Sequence, residues 1–232
     1  MLHIEPKNYV FLTPILYYII ISLSKLLYNK YQFRIKLIDS ITIYHNIFMA
    51  IYSLLSFIYI VRETMTQNKL NTLEKSMCQD FEINSNLKFF IHFWYISKYL
   101  EWIDTLILIF RGKKTSTLQL IHHAFTPLLI YSNTYLNGLE SYYHHGVITN
   151  SFVHTLMYCY FAFPNGFLRP YRLWITKIQI IQHAVCIFTL SYAFYYNCFH
   201  SLTGVIITSM LYLFFMIKFT SFYLNARTIK NK

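Results

Sequence analysis

Apolar segments long enough to cross a bilayer recur along the chain, and they constrain its fold more than any other feature. A membrane-spanning helix needs about 20 predominantly apolar residues. Backbone groups inside a bilayer must find their hydrogen bonds within the protein, which helices achieve segment by segment. Seven transmembrane helices are therefore predicted, over residues 9–28, 38–61, 89–110, 118–137, 143–163, 174–197 and 202–224.

The composition agrees with an all-α, polytopic membrane protein. Hydrophobic residues make up 56% of the 232 positions and charged residues only 12%, and the mean hydropathy is +0.37. A soluble domain rarely has such a composition. The sequence shows neither a Gly/Ser-rich linker nor an internal repeat, so residues 1–232 are interpreted as one domain.

The basic residues lie mostly on one side of the predicted membrane. Most of the 20 Lys and Arg residues fall in the first, third and fifth connections between spans and in the C-terminal tail. The positive-inside rule then predicts a lumenal N-terminus and a cytosolic C-terminus. The net charge of +11 is therefore a feature of topology, and nucleic acid is not an expected partner.

The four cysteines are irregularly spaced, and the sequence contains no C-x-x-C pair. Three of them lie in apolar stretches, where a thiol behaves as a small hydrophobic group. We therefore expect neither a disulfide framework nor a zinc site.

The third predicted span contains three ionisable residues, Lys98, Glu101 and Asp104. Each charge at the centre of a membrane helix costs roughly 2.5 to 3.5 kcal/mol on insertion scales. Their spacing of three residues places them on one helix face, where they can form an ion-paired network directed into the bundle. Two roles are open for this network: a clasp between helices, or a device that orients a functional site.

Polar residues at helical spacing also follow one face of the next three spans. Such residues often serve only to bind one helix to another. Four consecutive polar stripes, however, predict a buried polar chamber in the middle of the bundle. The residues expected to line it include Gln119, His122, His123, Asn150, His154, Tyr158, Gln179 and Gln182.

Paired histidines in a membrane helix suggest either a metal site or imidazole chemistry. The stretch QLIHH looks like one histidine box of the di-iron membrane desaturases and hydroxylases, but the sequence lacks a second box of that spacing. Without metal, a neutral imidazole can attack an acyl group or accept a proton. A closed chamber would protect an acyl-imidazole from hydrolysis. We therefore expect no metal at this site.

Several motifs, one per span, resemble those of the ELO family of very-long-chain fatty acid elongases. The chain has KYLEWIDT for K-x-x-E-x-x-D-T, NSFVHTLMYCYF for N-x-x-x-H-x-x-M-Y-x-Y-Y and TKIQIIQ for T-x-x-Q-x-x-Q, around the histidine pair. Two positions depart from the family pattern. Gln119 stands where the family usually has His, and Phe161 stands where it has Tyr.

The resemblance implies an endoplasmic reticulum enzyme with seven helices, the last six forming an inverted barrel around a substrate tunnel. Such an enzyme condenses a long-chain acyl-CoA with malonyl-CoA to give 3-ketoacyl-CoA, carbon dioxide and CoA, without metal or redox cofactor. The expected partners are these two substrates and membrane lipid. The other enzymes of the elongation cycle and a second copy of the chain are further candidate binding partners.

The resemblance also assigns roles to individual residues. His122 is the expected nucleophile, with His154 and His123 as catalytic partners, and Lys98, Glu101 and Asp104 as the supporting network. Asn150, Tyr158, Gln119, Gln179 and Gln182 are expected to bind substrate. The candidates for binding the phosphates of CoA are Lys113, Lys114, Arg169, Arg172 and Arg227.

Two rival functions fit parts of the pattern. One is a di-iron lipid desaturase or hydroxylase, and the other is a seven-span transporter that uses the polar stripes as a pathway. A transporter would tend to show two similar halves with broken helices, and the two halves of this chain are not alike. The sequence predicts neither the length nor the unsaturation of the acyl chain, nor the oligomeric state.

Overall fold

The computed structural model describes residues 8–31, 37–136 and 142–230, and these residues form helices and connecting loops without a strand. The nine α-helices of this part of the chain are α1 (Thr13–Tyr31), α2 (Ile38–Thr66), α3 (Leu73–Cys78), α4 (Ser85–Leu100), α5 (Trp102–Phe110), α6 (Thr117–Tyr131), α7 (Tyr143–Ala162), α8 (Arg172–Tyr195) and α9 (Leu202–Lys230). A π-helical turn, Ser132–Leu136, extends α6, and short 3-10 turns precede α1 and α8.

Four helical segments are long and apolar enough to cross a bilayer. They are Val10–Tyr31, Ile38–Thr66, Arg169–Tyr195 and Leu202–Thr228. They coincide with the first, second, sixth and seventh predicted spans. The chain is therefore a multi-pass, all-helical membrane protein, as the sequence predicts.

The third, fourth and fifth predicted spans are less regular. The third is divided at Glu101, where a turn separates α4 from α5. The fourth is a 15-residue helix followed by the π-helical turn, and its last predicted residue, 137, lies outside the described residues. The fifth, α7, is continuous over 20 residues but carries several polar side chains. The seven-span count stays a prediction for these three segments, because the helices of the third and fourth are shorter than the roughly 20 residues that a span needs and the fifth is rich in polar side chains.

The helices contact one another in a closed circuit. Around it, α2 packs on α7, α7 on α8, α8 on α9, α9 on α6, α6 on α4, and α4 with α5 returns to α2. Helix α1 lies outside this circuit, against α5 and α6. The circuit brings together helices far apart in the chain and surrounds an interior into which their polar stripes can point.

Pro127 interrupts the backbone hydrogen bonding of α6 at the level of the site. A proline has no N–H, so the carbonyl four residues earlier, that of His123, loses its helical donor. The indole Nε1–H of Trp102, at the start of α5, donates to this carbonyl at 2.9 Å. Helix α6 therefore continues through the proline to Tyr131, and the contact fixes α5 against the histidine pair.

A disulfide joins Cys78, at the end of α3, to Cys198, in the connection between α8 and α9. This differs from the expectation of no disulfide. The two cysteines are 120 residues apart in sequence, so spacing gives no signal, but the fold brings their Cα atoms to 5.2 Å. Next to it, Lys69 is fully buried and donates from Nζ to the backbone carbonyls of Gln79 and Asp80. We call the segment from Lys69 to Phe81 the α3 cap.

Candidate active site

A cavity of about 700 Å³ opens between the helices of the circuit, and we call it the main cavity. It is lined from α2, α5, α6, α7, α8 and α9. All three histidines singled out from the sequence line it, together with most of the expected polar residues. These lining residues are Glu101, Asp104, Gln119, His122, His123, Asn150, His154, Gln179 and Gln182.

Glu101 is the centre of the first buried network. Its Oε1 accepts a hydrogen bond from Lys98 Nζ at 2.7 Å and lies 3.4 Å from His154 Nδ1. Its Oε2 lies 4.0 Å from His123 Nδ1. The side chains of Lys98 and Glu101 are only 1% and 2% exposed, so each charge depends on the other for its solvation. This arrangement places two imidazoles beside one carboxylate.

Lys98 also orients an amide of α7. Its Nζ donates to Asn150 Oδ1 at 3.0 Å and lies 4.1 Å from the centre of the Trp94 ring, in cation–π geometry. Because the carbonyl oxygen of Asn150 is taken by the ammonium group, its NH₂ donors point the other way. Asn150 lines the main cavity, so it can present a hydrogen-bond donor to a substrate there.

His122 is held by α6 and by the aromatic side chains of α9. Ser116 caps the N-terminus of α6, and its hydroxyl accepts from the Gln119 backbone N–H at 3.1 Å. The imidazole of His122 packs against Phe215 and Phe219, with ring centres at 5.0 and 5.8 Å. Its Nδ1 lies 3.4 Å from Thr126 Oγ1. These contacts fix the plane of the ring while it remains open to the cavity.

A second, much smaller cavity of about 30 Å³ also borders His122, and we call it the inner cavity. A space of this size holds roughly two water molecules. Four residues line both cavities, which marks the point where they meet: His122, Asn150, Gln182 and His183. Lys98 lines the inner cavity only. The candidate site therefore lies at the junction of a wide and a narrow space.

Asp104 takes different partners from Lys98 and Glu101. Its Oδ1 accepts from His45 Nε2 and its Oδ2 accepts from the Tyr158 hydroxyl, both at 2.7 Å. Tyr158 is fully buried behind the cavity wall, although the sequence suggested a substrate contact. The charged motif therefore forms two networks. Lys98 and Glu101 belong to one, and Asp104 belongs to the other.

Gln119, the first departure from the family motif, contacts the threonine of the charged motif. Its Nε2 donates to Thr105 Oγ1 at 3.3 Å, and the same hydroxyl is 2.8 Å from the Tyr17 hydroxyl of α1. The second departure, Phe161, lines the main cavity and packs with its ring edge-on to Tyr158, with ring centres 6.3 Å apart. Both positions therefore lie close to the site.

Helix α8 contributes amides and one further imidazole. Gln179 Nε2 is 3.5 Å from the sulfur of Met157, and His183 Nδ1 donates to the Gln179 carbonyl at 2.6 Å. The His183 ring packs against Phe219 with centres 5.1 Å apart. Sequence reasoning did not select His183 as a site residue, although it adjoins Gln182 at the end of the polar stripe.

Two of the five expected phosphate-binding residues lie at the main cavity. Lys113 and Arg172 line it, whereas Lys114, Arg169 and Arg227 are exposed and are not among the lining residues. Arg111 also lines the cavity and pairs with Asp39 at 3.0 Å; the sequence did not select it. The basic residues at the cavity come from the α5–α6 connection and the start of α8, so they mark one mouth of the cavity.

The metal-ligating potential of the site is limited. Within the described ranges, one group of side chains, Glu101, His122 and His123, brings three ligand atoms within 4.8 Å of one another. Two irons would need further ligands, and the other adjacent pair, His144 and His145, belongs to the region of the α3 cap, with Phe81 against His144. The expectation that the site binds no metal stays a prediction.

Fold and site together define a helical membrane protein with paired imidazoles and a buried charged network around an internal cavity. The ELO family, described as the GNS1/SUR4 family, has a family model that matches residues 4–232. The chain belongs to this family.

Curated relatives carry the same family's names. The chain is 36% identical over 120 residues to fatty acid elongase 5 of Trypanosoma cruzi, a match that covers 49% of this chain and 46% of that protein. It is 30% identical over 161 residues to fatty acid elongase A of Dictyostelium discoideum, covering 68% and 58%. Fatty acid elongase sre1 of the same organism is 27% identical over 237 residues, covering 95% and 84%. The chain thus spans about half the length of the first two of these proteins.

Proposed function

We propose that this protein is a fatty acid elongase that condenses a long-chain acyl-CoA with malonyl-CoA. Membership of the ELO family and relatives named fatty acid elongases support this proposal. The observation that carries it is the convergence of His122, His123 and His154 on one cavity around a single buried carboxylate. Imidazoles near their neutral form are suited to acyl transfer.

In the first step, an imidazole nitrogen of His122 attacks the thioester carbonyl of the acyl-CoA. A carbon–nitrogen bond forms, the carbon–sulfur bond breaks, and CoA leaves as its thiolate. The ring proton of His122 must then be taken up, and it ends on the thiol of CoA. His154 lies in the same cavity with Nδ1 directed to Glu101, so it is placed to carry this proton.

In the second step, malonyl-CoA loses carbon dioxide, and the resulting carbanion attacks the acyl carbon. The new carbon–carbon bond forms as the carbon–nitrogen bond to His122 breaks, which releases 3-ketoacyl-CoA, and a proton from water, carried by His154, restores the neutral imidazole. The enolate oxygen of the decarboxylated malonyl group needs hydrogen-bond donors. Asn150 and Gln182 line the cavity beside His122, and the NH₂ group of Asn150 is turned away from Lys98.

The proposed topology has seven spans, with the last six forming an inverted barrel in the endoplasmic reticulum membrane. The closed circuit of helix contacts supports the barrel. The disulfide between Cys78 and Cys198 supports the orientation, because disulfides persist in oxidising compartments such as the lumen. The C-terminus and the mouth with Arg111, Lys113 and Arg172 would then face the cytosol, where the phosphates of CoA can pair with these side chains.

Turnover measured in membranes tests the proposal. Membranes that contain the protein should extend a long acyl-CoA by two carbons with radiolabelled malonyl-CoA, and His122→Ala should abolish this product. Release of one labelled carbon dioxide per product from carboxyl-labelled malonyl-CoA is also expected. Absence of any extended product from a folded wild-type protein over a panel of acyl chain lengths would contradict the proposal.

A metal measurement separates the rival enzyme class. Elemental analysis of the purified protein should find no stoichiometric iron. Treatment with a strong chelator should leave the rate of extension unchanged. Two irons per chain, in a protein that makes no extended product, would support a di-iron lipid oxidase instead.

A further inference from the structure

Asp104 is clasped between two helices that lie far apart in the sequence. His45 of α2 binds one carboxylate oxygen and Tyr158 of α7 binds the other, each at 2.7 Å. A carboxylate only accepts hydrogen bonds, so His45 must carry a proton on Nε2, and Tyr158 must donate its hydroxyl proton. We call these three residues the Asp104 clasp.

The clasp lies at the wall of the main cavity. Asp104 lines that cavity, and so do Thr42 and Asn46 on the neighbouring turn of α2. The side chains of His45 and Asp104 are 9% and 13% exposed. Hydrogen bonds to an ionised group in such a sheltered place are short and strong. The clasp therefore fixes the distance between α2, α5 and α7 at the level of the site.

Tyr158 connects the clasp to the expected catalytic imidazole. It lies one helical turn after His154 on α7, and the two rings meet edge to face with centres 5.6 Å apart. On its other side, His154 Nδ1 is 3.4 Å from Glu101 Oε1. The His154 ring is thus held between Glu101 and the ring of Tyr158, and the position of Tyr158 depends on Asp104.

We propose that His45 is a positioning residue for the condensation reaction. It donates to Asp104, Asp104 fixes Tyr158, and Tyr158 holds the face of α7 that carries His154 in line with Glu101. His45 acts through these residues and need not touch the substrate. This inference rests on the proposed elongase function and assigns a role within its site to a residue that the sequence motifs leave out.

The clasp is not needed merely to keep α2 and α7 together. These two helices pack along most of their length through other residues, among them Met49 and Ala50 of α2, which share an apolar cluster with Tyr158. Buried ionic contacts are, moreover, weak contributors to net stability. The geometry therefore points to alignment of the site as the contribution specific to His45.

Replacing the imidazole by an apolar ring tests this role. His45→Phe keeps an aromatic ring but removes the Nε2–H donor. Because a misplacement of about 1 Å can lower turnover by up to about 10²-fold, we expect kcat to fall about tenfold. The KM for acyl-CoA should stay within about threefold, since the cavity that binds it is unchanged. His45→Gln retains an N–H donor on a flexible chain and should recover most of the lost kcat.

A double-mutant cycle tests whether His45 acts through the clasp. Tyr158→Phe removes the other hydrogen bond to Asp104 and should also lower kcat about tenfold. Two residues that act through one carboxylate are not additive. The double variant should therefore lose about tenfold to twentyfold in kcat, and not the roughly 100-fold that independent losses would give.

Tyr44→Phe is the matched control, because it removes a hydroxyl from the adjacent residue of α2, which is 74% exposed on the outer face. It should leave kcat unchanged. If the wild-type protein makes no extended product, the proposed function fails. If the wild-type protein turns over, three results each overturn the role of His45: wild-type kcat in His45→Phe, equal losses in His45→Phe and His45→Gln, or a multiplicative cycle. A His45→Phe protein that does not fold also overturns it, because the clasp would then hold the fold.

Discussion

Two lysines in the described part of the chain are completely buried, and their surroundings differ. Lys98 lies within the helix circuit, where its ammonium group meets the carboxylate of Glu101, the amide of Asn150 and the face of Trp94. Lys69 lies in the α3 cap, where its ammonium group meets two backbone carbonyls and the face of Phe81. The carboxylate that pairs with Lys98 also lies beside two imidazoles. The hydrogen-bond acceptors of Lys69 are backbone carbonyls of the α3 cap. Of these two buried lysines, only Lys98, whose partners face the cavities, belongs to the candidate active site.

The largest expected effect separates the two lysines by activity. Lys98→Met should lower turnover by at least about 100-fold, because it removes a charge that compensates Glu101 and orients Asn150 beside the reacting groups. Lys69→Met should keep turnover within about twofold of wild type. Initial rates of extension, normalised to folded protein, measure both.

A second variant controls for unfolding of Lys98→Met. Removal of one partner of a buried ion pair can cost about 3–5 kcal/mol, so Lys98→Met/Glu101→Gln, which removes both charges, should recover the thermal stability. It should not recover the activity. Wild-type turnover in the double variant would reduce the network to a link between helices.

The next effect concerns the disulfide beside Lys69. Cys78→Ser/Cys198→Ser should lower the free energy of unfolding by about 2–4 kcal/mol, because the bond closes a long loop in the unfolded chain. Turnover of the folded protein should change by less than about twofold. Thermal unfolding in detergent and extension rates below the transition measure the two quantities. A loss of turnover as great as that of Lys98→Met would show that the cap belongs to the site.

Lys69→Met should have a smaller effect on stability. It leaves the carbonyls of Gln79 and Asp80 without their buried donor, which costs about 1–3 kcal/mol. Lys75→Met is the matched control, because Lys75 is exposed on α3 in the same segment, and it should change stability by less than about 0.5 kcal/mol. Equal effects of the two substitutions would contradict the distinction between them.

The smallest effect is a pH dependence of stability. Burial lowers the pKa of Lys69 to about 8 from its ordinary value of 10.5. Between these values the unfolded state binds more protons than the folded state, so the contribution of Lys69 to the free energy of unfolding rises with pH. The difference in unfolding temperature between wild type and Lys69→Met should grow from pH 8 towards pH 10. A constant difference over that interval would contradict the lowered pKa.

The sequence predicted those parts of the molecule that depend on local pattern. The lengths of the apolar segments predicted the four helices that are long and apolar enough to cross a bilayer. Helical spacing selected His122, His123 and His154, which share one cavity. Periodicity predicts which residues lie on one helix face, and in a membrane protein an expensive polar face must point inward.

Contacts between distant segments could not be predicted in the same way. His45 belongs to none of the sequence motifs, and its bond to Asp104 depends on the packing of α2 beside α5 and α7. The pairing of Cys78 with Cys198 likewise depends on the positions of α3 and α8. Neither contact produces a recognisable spacing in the sequence, so neither could be predicted without the three-dimensional structure.

Peptide mapping of the acylated protein tests the central claim most directly. The purified wild-type protein is incubated with a long-chain acyl-CoA in the absence of malonyl-CoA, digested rapidly under mild conditions, and analysed by mass spectrometry. The mass of the acyl group should appear on the peptide that contains His122, should be absent from His122→Ala, and should disappear when malonyl-CoA is added. Efficient extension without any adduct on His122 at any time, or with the adduct on another residue, would contradict the claim.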